Sequence, residues 1–160
     1  MQGQVHPSGE AIKTGVGARP AAVMLIDDDG DLYVPIHAVV ERALGAGSVL
    51  WHYTEGLRAV RDLHERRPHL VLLDMRLPDV DGLTVLKLIK ATTEFRHIPV
   101  IMLSGHAYWQ MLSIALDAGA DSYIFKPFEF ETLVSVIRES YHRTRADRPA
   151  APGVPDPPAH

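Results

Sequence analysis

Acidic side chains, one hydroxyl and one lysine follow directly after short apolar runs in this sequence, and together they suit phosphoryl chemistry. Asp27, Asp28 and Asp29 follow the run 21–26, and Asp74 follows 70–73. Ser104 follows 98–103, and Lys126, then Pro127, follow 123–125. Clustered carboxylates raise one another's pKa unless a cation joins them. A hard divalent ion such as Mg²⁺ takes one or two carboxylates, phosphate oxygens and waters as ligands. Asp28 and Asp74 suit direct ligation, and Asp27 suits holding a bound water. Once its charge is neutralised, a carboxylate oxygen can attack phosphorus. Lys126 would then neutralise one phosphoryl oxygen while the Ser104 hydroxyl bonds another.

That chemistry needs a frame that brings four distant segments together. The runs 21–26, 70–73, 98–103 and 123–125 are short and apolar throughout rather than alternating, as strands buried on both faces of a parallel sheet are. Val49–Tyr53, aromatic and branched, is a weaker fifth strand. Between them lie spacings of i, i+3, i+4 that define amphipathic helices. Their faces are Ile36, Val39, Val40, Ala43 and Leu44; Leu57, Val60 and Leu63; Leu83, Leu86 and Ile89; Met111, Ile114, Ala115 and Ala118, ended by Gly119; and Leu133, Val136, Ile137 and Tyr141. Five β-α units in series predict an α/β fold, a doubly wound five-stranded parallel sheet with five helices in the flavodoxin-like (βα)5 arrangement. Ligands of such sheets bind at the carboxyl ends of the strands, where these polar residues fall. Pro35 lies in the first helical pattern, and since a proline inside a helix removes a donor and clashes, the helix either starts near 32–34, the favoured reading, or is bent there.

A flexible arm is expected over residues 1–20, with four glycines, and a Pro-rich disordered tail over 146–160, leaving one ordered domain at 21–145. There is no cysteine, which excludes thiolate catalysis, thiolate metal sites and disulfides. The nine histidines are scattered without i, i+4 pairs, so histidine metal binding is not expected. A net charge of -4 offers no electrostatic footprint for nucleic acid. No apolar run approaches a membrane span, and the chain reads as cytoplasmic.

In order along the chain, Val23-Met24-Leu25-Ile26-Asp27-Asp28-Asp29, the segment from Leu72 through Asp74 to Asp81-Gly82, Ile101-Met102-Leu103-Ser104-Gly105, and the segment from Gly119 through Tyr123 and Lys126 to Phe128 resemble the signature segments of bacterial response regulator receiver domains, chemotaxis-regulator-like single domains included. The resemblance spans about 21–142. It implies that Asp74 accepts a phosphoryl group from a sensor histidine kinase or a histidine phosphotransfer protein. It implies Mg²⁺ held by Asp28, Asp74 and the backbone carbonyl of Arg76, with Asp27 assisting. It further implies that Ser104 moves toward the phosphoryl group, that Tyr123 swings inward behind it, and that the Lys126–Pro127 bond is cis. The face of the fourth helix, fifth strand and fifth helix would change with phosphorylation and could also join two copies. Such a domain is not an enzyme beyond its own phosphotransfer and dephosphorylation. Arg76 and His106, each two residues after a site residue, would flank the phosphoryl group and tune its loss to water.

Plainer readings stand beside these. The segment 27–29 alone serves as well as a polar loop capping the first helix, and it is not a calcium loop, since Leu32 stands where that motif requires glycine. Trp51 and Trp109 read most simply as packing or contact residues. A phosphatase of the haloacid dehalogenase type also uses a strand-end aspartate, but needs a second aspartate where Arg76 stands. The same residues would also suit a receiver-shaped module that is never phosphorylated, or a regulator whose output domain is missing.

Overall fold

The computed structural model describes residues 19–105 and 109–146. The expected arm and tail, and His106, fall wholly or almost wholly outside these residues. Strands β1 (Ala22–Ile26), β2 (Val49–Tyr53), β3 (Leu70–Asp74), β4 (Val100–Ser104) and β5 (Ser122–Phe125) alternate with helices α1 (Tyr33–Leu44), α2 (Gly56–Arg66), α3 (Gly82–Ala91), α4 (Trp109–Asp117) and α5 (Phe130–Ala146). All strand pairs are parallel, in the order β2-β1-β3-β4-β5. The three inner strands are buried at every position, which is why they read as unbroken apolar runs.

Alternate residues of each strand feed two cores. Met24 and Ile26 of β1 pack with α2, α3 and α4, whereas Val23 and Leu25 pack with α1 and α5. Helix α1 starts at Tyr33, after a single 3-10 turn over Gly30–Leu32. Pro35 therefore sits in the first turn, where backbone N–H groups lack helical partners in any case. Gly119, at φ +104°, lets the chain leave α4, and its N–H reaches the Leu116 carbonyl at 3.0 Å.

Two helices bury only part of the face their apolar spacing suggests. On α2, Gly56, Ala59 and Leu63 face inward, while Leu57 is exposed. Small residues are needed there because a Cβ on Gly56 would meet Val85 Cγ2 at 2.6 Å and Val80 Cγ1 at 2.9 Å. On α4 only Ala115 is buried, and Ile114 and Leu116 face solvent.

Candidate functional site

The sheet order reverses between β1 and β3, so a crevice forms at the carboxyl ends of these neighbours. The register pairs Ile26 with Leu73 and Asp74 with Leu103, so the residues that follow β1, β3 and β4 share one edge. Asp27 there is fully buried, Asp74 and Ser104 are buried, and Asp28 is exposed. Each of Asp27, Asp28 and Asp74 brings a carboxylate oxygen within 4.8 Å of the others'.

Lys126 reaches in from the end of β5. Its Nζ donates to Asp27 Oδ2 at 2.6 Å and lies 3.7 Å from Asp74 Oδ2. The Lys126–Pro127 bond is cis. Asp27 is further fixed by its own loop, since Asp29 N–H donates to Asp27 Oδ1 at 2.9 Å. Asp29 itself caps the 3-10 turn by accepting from Asp31 N–H, so the third acid of the run has the plain capping role. Arg76 N–H donates to Asp74 Oδ1 at 3.3 Å, while the Arg76 side chain is exposed. Burial, and next the Asp27 charge, push the Asp74 carboxyl above its usual range; Lys126 and the Arg76 N–H pull it back.

The cluster fits a hard divalent cation. Three carboxylates, of Asp27, Asp28 and Asp74, converge there with one ammonium, that of Lys126, among them. All candidate ligands are oxygens, the donor set that Mg²⁺ takes.

Beside Asp74 opens a cavity of about 570 Å³, lined among others by Arg76, Leu83, Ser104, Met111 and Tyr123. The Tyr123 ring points inward, 5.2 Å from the Phe125 ring, and its buried hydroxyl has no hydrogen-bond partner among the described residues. Trp109 is 72 % exposed and meets Phe125 edge-on at 5.6 Å. Trp51 is half-buried, with the Arg66 guanidinium over its ring.

Two residues at the site go unsignalled in the amino-acid pattern. His52 donates from Nε2 to the Asp27 carbonyl oxygen at 2.7 Å, tying the edge strand to the acidic loop. Asp79 accepts from the N–H groups of Gly56 and Leu57 at 2.9 and 2.8 Å. The only hint of the latter is that Glu55, which precedes α2, is a poor cap.

The comparisons agree with this geometry. Residues 23–138 match the family described as the response regulator receiver domain. Curated relatives include the DNA-binding response regulator MtrA of Mycolicibacterium paratuberculosis, 34 % identical over 128 residues, covering 80 % of this chain and 54 % of that protein. The transcriptional regulatory protein PrrA of Mycobacterium tuberculosis is 31 % identical over 128 residues, 79 % of this chain and 52 % of its own. The chain thus spans about half the length of these relatives. They give no support to the charge-based expectation that nucleic acid is not a partner. Among solved structures, a response regulator receiver domain protein from Clostridium thermocellum superposes with a TM-score of 0.69 at 26 % identity, covering 79 % of this chain and 98 % of that one. The receiver domain of a sensor histidine kinase from Pseudomonas aeruginosa PAO1, solved with a magnesium ion coordinated in its active-site cleft, gives 0.67 at 26 % identity, covering 78 % and 99 %. No helix among the described residues is long and apolar enough to cross a membrane. With four strand ends delivering acids, hydroxyl and lysine to one crevice and the family match running across all five β-α units, this chain belongs to the response regulator receiver domain family of two-component signalling.

Proposed function

We propose that Asp74 is the phosphoacceptor of a two-component phosphorelay, supplied by a sensor histidine kinase or a histidine phosphotransfer protein in the cytoplasm. The observation that carries this reading is the pairing of a buried Asp74 with Lys126 3.7 Å away and two further carboxylates beside it. An Asp74 carboxylate oxygen attacks the phosphorus of a phosphohistidine. The new O–P bond forms as the N–P bond breaks, and the imidazole nitrogen leaves with its electron pair. Asp28, Asp74 and the Arg76 carbonyl would hold Mg²⁺, with Asp27 assisting. When bound, the ion supplies charge neutralisation for the carboxylates and the phosphoryl oxygens. Lys126 turns to a second phosphoryl oxygen, and the Ser104 hydroxyl donates to a third.

Phosphorylation adds roughly -1.5 to -2 charge. Contacts made only in that state shift a two-state equilibrium. Ser104 and Tyr123 are the proposed switch pair, and the face of α4, β5 and α5 is the proposed output, open to a target or a second copy. Trp109, Ile114 and Leu116 of α4 and Phe130 of α5 are the exposed large apolar residues of these elements. Arg76 and His106 are the proposed modulators of dephosphorylation.

The test is incubation with acetyl phosphate and Mg²⁺, followed by intact mass spectrometry, beside Asp74→Asn. One added phosphoryl group is expected, absent from the variant and absent with chelator. No adduct, or the same adduct in the variant, refutes Asp74 as acceptor and leaves an unphosphorylated interaction module.

A further inference from the structure

The loop between β3 and α3, residues 75–81, leaves the site and touches helix α2 before it returns. Helix α2 lacks a side-chain cap of its own: Glu55, extended at φ -125° and ψ 131°, makes no capping hydrogen bond. Both carboxylate oxygens of Asp79 take that role from 22 and 23 residues away, accepting from Leu57 N–H at 2.8 Å and Gly56 N–H at 2.9 Å. These bonds, Leu57's foremost, hold the Asp79 carboxyl below its usual range, so it is the charged form that α2 grips. Apolar contact accompanies the polar one. The bare Cα face of Gly56 receives Val80 and Leu77 of the same loop, so closely that a Cβ would stand 2.9 and 3.0 Å from them.

A terminal helix cap needs no such reach, because an Asp at position 55 would do it locally. What the long reach adds is a fixed point in the middle of the acceptor loop. On one side of that point lie Asp74 and Arg76, whose N–H bonds Asp74 Oδ1. On the other lie Asp81, which caps α3 through Thr84 N–H at 2.8 Å, and Gly82, whose N–H bonds the Met75 carbonyl at 2.8 Å. Loops are the mobile part of such sheets, and a site carried on one is accurate only where the loop is tied down.

We propose that Asp79 is a positioning residue for the phosphoacceptor site, using the first turn of α2 as an anchor to hold the loop that carries Arg76 against Asp74. The chemical part of this proposal rests on the reading of Asp74 as acceptor; the anchoring part does not.

Three variants separate positioning from simple helix capping: Asp79→Ala, Asp79→Ala with Glu55→Asp, and Glu55→Asp alone. The double variant gives α2 a local cap and leaves the loop untied. Two measurements are made on each: amide hydrogen exchange of peptides covering 56–66 and 75–82, without metal or phosphoryl donor, and the rate of phosphorylation by acetyl phosphate with Mg²⁺. In Asp79→Ala, exchange should quicken in both peptides, and the phosphorylation rate should fall about tenfold, well within what a misplaced group costs. In the double variant, 56–66 should regain its protection while 75–82 and the phosphorylation rate do not. Recovery of all three in the double variant, or no change in 75–82 on losing Asp79, overturns the proposal. If wild type takes no phosphoryl group, the acceptor reading fails while the exchange data still decide the anchor.

Discussion

Gly82→Ala tests whether the acceptor strand and helix α3 are as tightly joined as the geometry requires. A Cβ at Gly82 would collide with the Asp74 carbonyl oxygen and lie 2.8 Å from Met75 Cα and 2.9 Å from the Asp74 carbonyl carbon. All three atoms are backbone, so no side-chain rotation relieves the clash. Helix α3 cannot simply back away, because Val85, Leu86 and Ile89 are fully buried beneath it. Overpacking of this kind costs about 1–3 kcal/mol, and three backbone contacts argue for the upper half of that range. The lower chain entropy of alanine returns about 0.4–1 kcal/mol. A net loss of about 2 kcal/mol follows, or about 4–8 °C in Tm for a chain of this size. Gly30→Ala is the control, since nothing lies within 4 Å of a Cβ there; it should be neutral or slightly stabilising. Urea unfolding followed by circular dichroism measures both. The strained peptide belongs to Asp74 itself, so Gly82→Ala should also slow phosphorylation by acetyl phosphate while Gly30→Ala does not. A Gly82→Ala protein unfolding at the wild-type urea concentration would refute the steric reasoning.

Three further outcomes follow from the geometry. In chelator, Asp74→Asn should be more stable than wild type at pH 7: the folded carboxyl titrates above its unfolded value, so the native state binds more protons in between and stability falls as pH rises through that interval. The two proteins should converge below about pH 4, the ordinary aspartate range, and a variant less stable at pH 7 would contradict the sign. Lys90→Met should lose about 2 kcal/mol in urea unfolding, because the largely buried Nζ donates to the Ile98 carbonyl at 2.7 Å and to the Arg96 carbonyl and Asp121 Oδ2 at 3.3 Å; an unchanged midpoint would show these bonds to be redundant. Arg67→Gly should gain about 0.5 kcal/mol, since Arg67 sits at φ 47° after α2 and its ion pair with Glu94 is exposed; a loss would mean that the pair outweighs the backbone strain.

The layered plan and most of the site are legible in the linear chain. Unbroken apolar runs arise only where a strand is covered on both sides, and helical spacing between them leaves a parallel sheet as the arrangement that covers it. Strand ends are then readable as candidate site positions, so Asp27, Asp28, Asp74, Ser104 and Lys126 are nameable as candidates without coordinates. The start of α1 near Pro35 was legible for the same kind of reason, because proline's constraints are local.

Whatever depends on two segments meeting is settled by folding alone. On α2 the expected Leu63 and, in part, Val60 pack inward, but Gly56 and Ala59 share their face, with Val80 and Val85 pressing on Gly56, and Leu57 lies outside. Helix α4 buries little beyond Ala115, which its composition does not announce. The bonds of His52 to Asp27 and of Asp79 to α2 join residues 22 or more positions apart, and neither residue carries a local signal of its partner. Lys126 illustrates both sides. Its place at a strand end is written in the sequence, but that it sits closer to Asp27, at 2.6 Å, than to Asp74, at 3.7 Å, is visible only in the folded crevice.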